Sequence, residues 1–394
     1  MPVALFALMI GAFAIGTTEF VIVGLVPTIA QSLAISVPSA GLLVSLYALS
    51  VAISAPLLTA MTARWQRRNV LLFLMAIFVV GNFLAWQATN FSTLIGARIV
   101  TGLAHGVFFS IGSTIATQLV TKEKAAAAIA MMFTGLTVAL VTGVPLGAYI
   151  GQHFGWQTTF LAVMSLGVIA FIGALLFVPK NLQQPEPVKL IQQLDVIRSP
   201  RLLLVYAMTA LGYGGTFVLF TFLSPMLQQL SGFNGNDVSL ILVGYGIAVA
   251  LGNTLGGKLA DKLGTIRSLK YIFSVQMLVL FSFYFMAQSA WAVLISTMLL
   301  GLTSFATVPP LQLLVVEQAK IDAPQSVDVA SGLNIAAFNL GITIGSGIGG
   351  QVVAEIGLLD TAWVGAVILA VTLLLVALFN RMQQAKCLSK FSPN

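Results

Sequence analysis

The stretch "VALFALMIGAFAIGTTEFVIVGLV", residues 3 to 26, is an apolar run broken by one charge, Glu19. About 20 such residues, rising 1.5 Å each as an α-helix, cross the ~30 Å hydrocarbon core of a bilayer. The rest of the chain repeats the pattern. Hydrophobic residues make up 58% of the 394 and charged residues only 7%, against roughly 25% charged in a soluble domain. Further spans are drawn at 39 to 61, 69 to 88, 92 to 119, 127 to 150 and 158 to 178. A second set follows at 201 to 226, 238 to 260, 268 to 288, 291 to 315, 328 to 353 and 361 to 380. The expectation is an all-α membrane protein of twelve transmembrane helices in two sixes.

The start "MPVALFALMI" has no basic region and no small-residue cleavage site, so a retained first helix is expected. The single cysteine, Cys387, excludes an intrachain disulfide and gives no thiolate metal site. The net charge of +7 is explained by position. With the N-terminus inside, 17 of the 18 Lys and Arg fall on cytoplasmic loops, adjoining helix ends or the tail; only Arg98 is intramembrane. The positive-inside rule then places both termini in the cytoplasm, and no nucleic-acid partner is expected.

One long polar connection, "PKNLQQPEPVKLIQQLDVIRSPR" (179 to 201), divides the chain. An N-terminal bundle is expected over 1–178, a linker over 179–200, a C-terminal bundle over 201–381 and a tail over 382–394. Val188, Ile191, Leu194 and Ile197 predict a short amphipathic helix in the linker. The bundles resemble each other. At a shift of 198, Gly16, Pro27 and Gln31 fall on Gly214, Pro225 and Gln229; at 202, Gly143, Gly147 and Gly155 fall on Gly345, Gly349 and Gly357. Such a duplication implies a site between the halves near the bilayer midplane. The intramembrane charges are not duplicated: Glu19 corresponds to Phe217, and Arg98 and His105 to Thr297 and Ser304.

A carboxylate at a helix centre costs ~2.5 to 3.5 kcal/mol on insertion scales, which makes Glu19 a functional candidate by default. It lies eight residues, about 12 Å, below Pro27, and Arg98 lies about 10 Å below the outer end of its helix. The matched depths make each the expected partner of the other. His105 follows Arg98 by two helical turns, on the same face. Two readings stay open for this set: a proton-coupling group, in which a carboxylate changes protonation as its surroundings change, or a permanent salt bridge holding helices together. His105 is equally readable as a hydrogen-bonded structural histidine. Cavity candidates are Thr18, Phe108, Phe109, Thr216, Phe217, Phe220, Tyr245, Gln312, Asn334 and Asn339. Interhelical hydrogen bonding or packing explains any one of them equally well.

The segment "GKLADKLGTIR" (257 to 267) resembles the loop signature of the major facilitator superfamily, G-x-L-A-D-R-x-G-R-R. Here Gly257 is expected to permit close helix approach and Asp261 to bond the next helix N-terminus, with Gly264 at the turn and Lys262 and Arg267 as cytoplasmic charge. The first-half loop "TAMTARWQRR" keeps Arg64, Arg67 and Arg68 but has Thr59, Ala63 and Gln66 where Gly, Asp and Gly are expected. "RIVTG" (98 to 102) resembles a helix-4 motif associated in that family with proton transfer. "GVPLG" (143 to 147), with Gly143, Pro145 and Gly147, resembles the antiporter motif of exporters. "GTTEF" and "AHGVFFSIG" are similar to the bacterial drug:proton antiporter branch that contains sugar-efflux, arabinose-polymer-type and chloramphenicol-efflux proteins.

The resemblance implies the major facilitator fold and proton-coupled efflux of a small neutral or amphipathic compound at the inner membrane, with uptake as the alternative. It implies a monomer in the bilayer with substrate and protons as partners. The proton gradient is the expected energy source, and no cofactor is expected. No P-loop occurs, and two histidines without H-E-x-x-H exclude a zinc protease. "GSGIGG" (345 to 350) lies inside an apolar run, where helix packing explains it better than a dinucleotide loop. A transporter, not an enzyme, is expected.

Overall fold

The computed structural model describes residues 2–62, 64–121, 124–182 and 196–391. Every regular element among them is helical, and twelve segments are long and apolar enough to cross a membrane. In the first half these are α1 (Val3–Ser32), α2 (Val37–Met61), α3 (Arg67–Trp86), α4 (Phe91–Gln118), a broken fifth span and α7 (Trp156–Phe177). The fifth span comprises α5 (Ala125–Val138), a π-helical turn (Ala139–Gly143) and α6 (Val144–Phe154). In the second half, α8 (Pro200–Phe220) with α9 (Leu223–Gln229) forms one span, followed by α10 (Gly235–Leu263) and α11 (Thr265–Met286). Then α12 (Ala290–Ala306) with α13 (Val308–Asp322) forms the tenth, before α14 (Val327–Glu355) and α15 (Thr361–Phe391).

The breaks have a local cause. Proline has no N–H, and its ring collides with the carbonyl four residues back. Pro145 follows the π turn, Pro225 follows the interruption at 221 and 222, and Pro309 and Pro310 follow the step at Thr307. Pro27 is tolerated inside a continuous α1. Asn90 caps α4 through the Thr93 amide, and Asn234 with Asp237 forms a reciprocal capping box on α10.

Two expectations about boundaries change. The last helix runs to Phe391, beyond the end expected near 380, because "RMQQAKCLSKF" contains neither Gly nor Pro to stop it. The expected linker helix falls mainly on 183–195, outside the described residues; 196–198 are helical.

The internal repeat is visible in packing. In the first half the fifth span lies on α1: a Cβ at Gly143 would meet Thr17, and one at Gly147 would meet Val21 at 2.6 Å. In the second half α14 lies on α8 in the equivalent manner, with Gly345 and Gly349 against the Gly214 and Val218 carbonyls. Helices in lipid associate where small residues allow such approach.

The buried apolar residues fall into two groups that decide where the interior is open. One group joins both halves on the side away from the termini, combining Phe20 to Ile29 of α1 and Leu43 of α2 with Phe220, Leu223, Met226 and Leu242, and continues within the second half to Leu202 and Phe379. The other, including Leu5, Leu8, Leu74, Phe78 and Ile115, belongs to the first half alone and lies toward the termini. The halves are therefore welded on one side and separate on the other. Outward-facing Leu240, Phe285, Leu374 and Trp291 present the apolar perimeter that a bilayer requires.

Candidate functional site

Glu19, Arg98 and His105 converge, but not in the expected pairing. Arg98 is 1% exposed. Its Nη1 donates to the Thr18 carbonyl at 2.6 Å, its Nη2 to the Glu19 main-chain carbonyl at 3.4 Å and its Nε to the Leu43 carbonyl at 3.4 Å. Its guanidinium carbon sits 4.0 Å from the centre of the Tyr47 ring. Helix carbonyls retain a second lone pair after their own helical bond, so Arg98 can fasten α1, α2 and α4 together without the carboxylate. The expected Glu19 to Arg98 salt bridge is thus replaced by a main-chain staple.

The Glu19 carboxylate instead approaches His105, with Oε2 4.0 Å from Nδ1, beyond hydrogen-bond range. The same Nδ1 lies 3.0 Å from the Tyr47 hydroxyl, the tautomer deciding which group donates. These contacts depend on how closely α2 and α4 run. A Cβ at Gly102 would strike Ser50 and the Tyr47 carbonyl, and one at Gly106 would strike Ser54. Tyr47 was not a sequence candidate. It is the only tyrosine before residue 149, set in an otherwise apolar run, and that was its available signal.

Glu19 and His105 line a cavity with about 1030 Å³ of open space between the halves, on the side of the termini. Its walls are largely apolar and include six aromatic rings: Phe20, Phe109 and Phe133 from the first half, Tyr213, Phe305 and Phe338 from the second. The second half supplies a neutral polar wall opposite the acid. Thr209 donates to Asn334 Oδ1 at 2.7 Å, Asn334 Nδ2 to Gln312 Oε1 at 2.9 Å, and Gln312 to Ser331. Asn339 donates to the Ile335 carbonyl at 3.1 Å, while its buried Oδ1 has no partner among the described residues. A much smaller gap, of about 10 Å³, lies between Glu19, Tyr47 and Phe217.

Of the cavity candidates, Phe109, Gln312, Asn334 and Asn339 line this space. The other six are elsewhere. Thr18 donates to Asn82 at 2.9 Å, Phe108 fills the notch at Gly11, and Thr216 bonds the Gly212 carbonyl and Gln276. In the closed side Phe217 meets Phe220 edge-to-face and Phe220 stacks on Tyr245, with centroids 5.2 and 4.8 Å apart. Thr209, Tyr213 and Asn253 are lining residues that carried no sequence signal beyond those of any polar residue in a helix.

The loop motif also differs in detail. Gly264, at φ +80°, makes the turn between α10 and α11. Asp261 is exposed and does not cap α11, whose first residue Thr265 reaches Glu317 at 3.3 Å. Close approach occurs at Gly252 and Gly256, against the Leu302 and Ala306 carbonyls, and not at Gly257, where a Cβ would have room. Lys262 and Arg267 are exposed. Arg68 donates to the Leu175 carbonyl at 2.7 Å, tying α3 to α7, while Arg64 is exposed and Arg67 half-buried beside it. Pro145 and Gly143 flank the π turn, where a Cβ on Gly246 of α10 would strike the Leu140 carbonyl. The π turn that leads into the antiporter-like motif thus touches the second half, while the motif's Gly143 and Gly147 pack on α1.

Residues 8–323 match the Major Facilitator Superfamily. The chain belongs to that superfamily. Its members are transporters, not enzymes, and this chain is a multi-pass membrane transporter. It is 49% identical over 381 residues to the uncharacterised MFS-type transporter YtbD of Bacillus subtilis, covering 97% of this chain and 96% of that one. It is 30% identical over 364 residues to a probable sugar efflux transporter of Mannheimia succiniciproducens, covering 92% and 90%. Among solved structures, a bacterial homologue of the human lysosomal transporter Spinster, inward-facing and occupied, superposes with a TM-score of 0.79 at 17% identity, covering 96% of each chain.

Proposed function

We propose that this major facilitator protein is a proton-coupled antiporter that exports a small neutral or amphipathic compound, of the sugar or drug class, across the bacterial inner membrane. The observation that carries this reading is the position of Glu19. Its carboxylate lines the main cavity, and Arg98, the one intramembrane cation, is engaged with main-chain carbonyls. A carboxylate in such a place can exchange a proton with water entering the cavity, and its protonation depends on what else occupies that space. The aromatic walls suit an apolar body, while Asn334, Gln312 and Asn339 suit neutral hydrogen-bonding groups. The relative named as a sugar efflux transporter and the antiporter-like motif at Gly143 to Gly147 favour export over uptake.

Cytoplasmic termini, as the distribution of Lys and Arg favours, make the cavity open to the cytoplasm, the loading side for an exporter. Opening the other side requires parting the shared apolar core around Phe20, Phe220 and Leu242. The protein acts as a monomer, without a cofactor, driven by the proton gradient.

The test is flux in proteoliposomes with candidate sugars, nucleosides and phenicol-type drugs. An imposed pH gradient should accelerate efflux by the wild type. Glu19→Gln should abolish that acceleration while substrate exchange persists. Proton-driven flux at the wild-type rate in Glu19→Gln would remove the carboxylate from the mechanism.

A further inference from the structure

A second recess opens on the face that carries the termini, far from the central cavity. It lies between the start of α11 and the end of α15 and is open to solvent, with a volume of about 520 Å³. Its polar lining consists of Arg267 and Lys270 from α11 with Asn380, Arg381 and Gln384 from α15, and Tyr271 stands at its edge. No carboxylate among the described residues lines it. The three cations are exposed and have no ion-pair partner among the described residues. Three like charges on adjoining helices repel one another, so the recess suits an anion.

The surface below the recess identifies the kind of anion. Along α11, Val275, Leu278 and Phe281 continue from Tyr271 at helical spacing, each between 47% and 61% exposed. Along α15, Leu378, Leu374 and Val371 run in the same direction from Arg381, 49%, 69% and 42% exposed. The two stripes lead from the basic recess into the hydrocarbon zone. Tyrosine at the boundary is the residue expected at headgroup depth. A soluble anion would use the cations alone, whereas a phospholipid uses both parts, its phosphate in the recess and its chains along the stripes.

We propose that this recess is a binding site for an anionic phospholipid of the adjoining leaflet. The bound phosphate offsets part of the repulsion among Arg267, Lys270 and Arg381 and thereby holds α11 against α15. The proposal rests on membrane embedding and not on the transport reading.

The experiment uses the delipidated full chain in detergent, titrated with phosphatidylglycerol, phosphatidylcholine or inorganic phosphate and followed by native mass spectrometry and thermal unfolding. Phosphatidylglycerol should be retained and raise the melting temperature, with phosphatidylcholine and phosphate giving little. At about 1 kcal/mol per basic residue near the surface, R267Q/K270Q/R381Q should bind phosphatidylglycerol roughly a hundredfold more weakly. The charge-matched control K258Q/K262Q/K320Q should bind it as the wild type does. Equal binding by both triple variants overturns the proposal, as does equal stabilisation by phosphate. Hydrogen exchange on the wild type avoids dependence on variant folding. Nanodiscs containing phosphatidylglycerol should protect 266–272 and 377–384 relative to phosphatidylcholine, and unchanged protection there also overturns it.

Discussion

The guanidinium of Arg98 lies 2.6 Å from the main-chain carbonyl of Thr18 on the neighbouring helix. An intramembrane arginine is thereby spent on holding α1, α2 and α4 in register, which leaves the adjacent Glu19 carboxylate to face the cavity.

Arg98→Lys keeps the charge but cannot reach three carbonyls at once, because an ammonium lacks the planar fork. Loss of one charge-assisted bond is worth about 1.5 to 3 kcal/mol, so the purified variant should melt several degrees lower. An unchanged melting temperature would show that the staple does not contribute to stability.

Tyr47→Phe removes the hydroxyl bonded to His105 and leaves the ring that faces Arg98. The stability change should stay near 1 kcal/mol. The pH dependence of proton-driven flux should shift, since His105 then loses its hydrogen-bond partner and keeps the Glu19 carboxylate 4.0 Å away. A superimposable pH profile would take the Tyr47 to His105 contact out of coupling.

Gly256→Ala and Gly257→Ala form a matched pair. At 256 the new Cβ would meet the Ala306 main chain, with its carbonyl carbon at 2.7 Å, and the cost should be about 1 to 3 kcal/mol. At 257 there is room, and replacing glycine within a helix should stabilise by up to about 1 kcal/mol. Thermal unfolding of the two variants should move in opposite directions.

Asn339→Ala deletes a buried oxygen that has no partner among the described residues. Folding should be nearly unaffected, while the ligand affinity read from a stabilisation screen should weaken by roughly fivefold, the value of one neutral hydrogen bond. Full retention of that affinity would place the ligand away from Asn339.

The spans were legible because lipid admits few alternatives to an apolar helix of sufficient length, and Glu19 stood out because a lone charge in such a run needs a reason. Depth along each helix also followed from counting residues. Rotation about the helix axis did not. Arg98 and Glu19 share a depth, yet whether the guanidinium meets a carboxylate or a carbonyl depends on the few ångströms between α1 and α4. Gly256 and Gly257 are neighbours in sequence but about 100° apart around α10, and only one faces α12. Phe217, Phe220 and Tyr245 were apt as cavity walls by composition; which side of the molecule is closed put them in a packed layer instead. Tyr47 went unnoticed because a tyrosine in a membrane helix costs little and so attracts no suspicion.

Glu19 and Phe217 occupy equivalent places in the two halves and meet across one small gap. A perfectly twofold molecule would set two acids there, face to face near its own dyad, and like charges in so poorly solvated a space cannot both ionise. Keeping the acid in one half only avoids that conflict and leaves a single carboxylate at the meeting place of the halves.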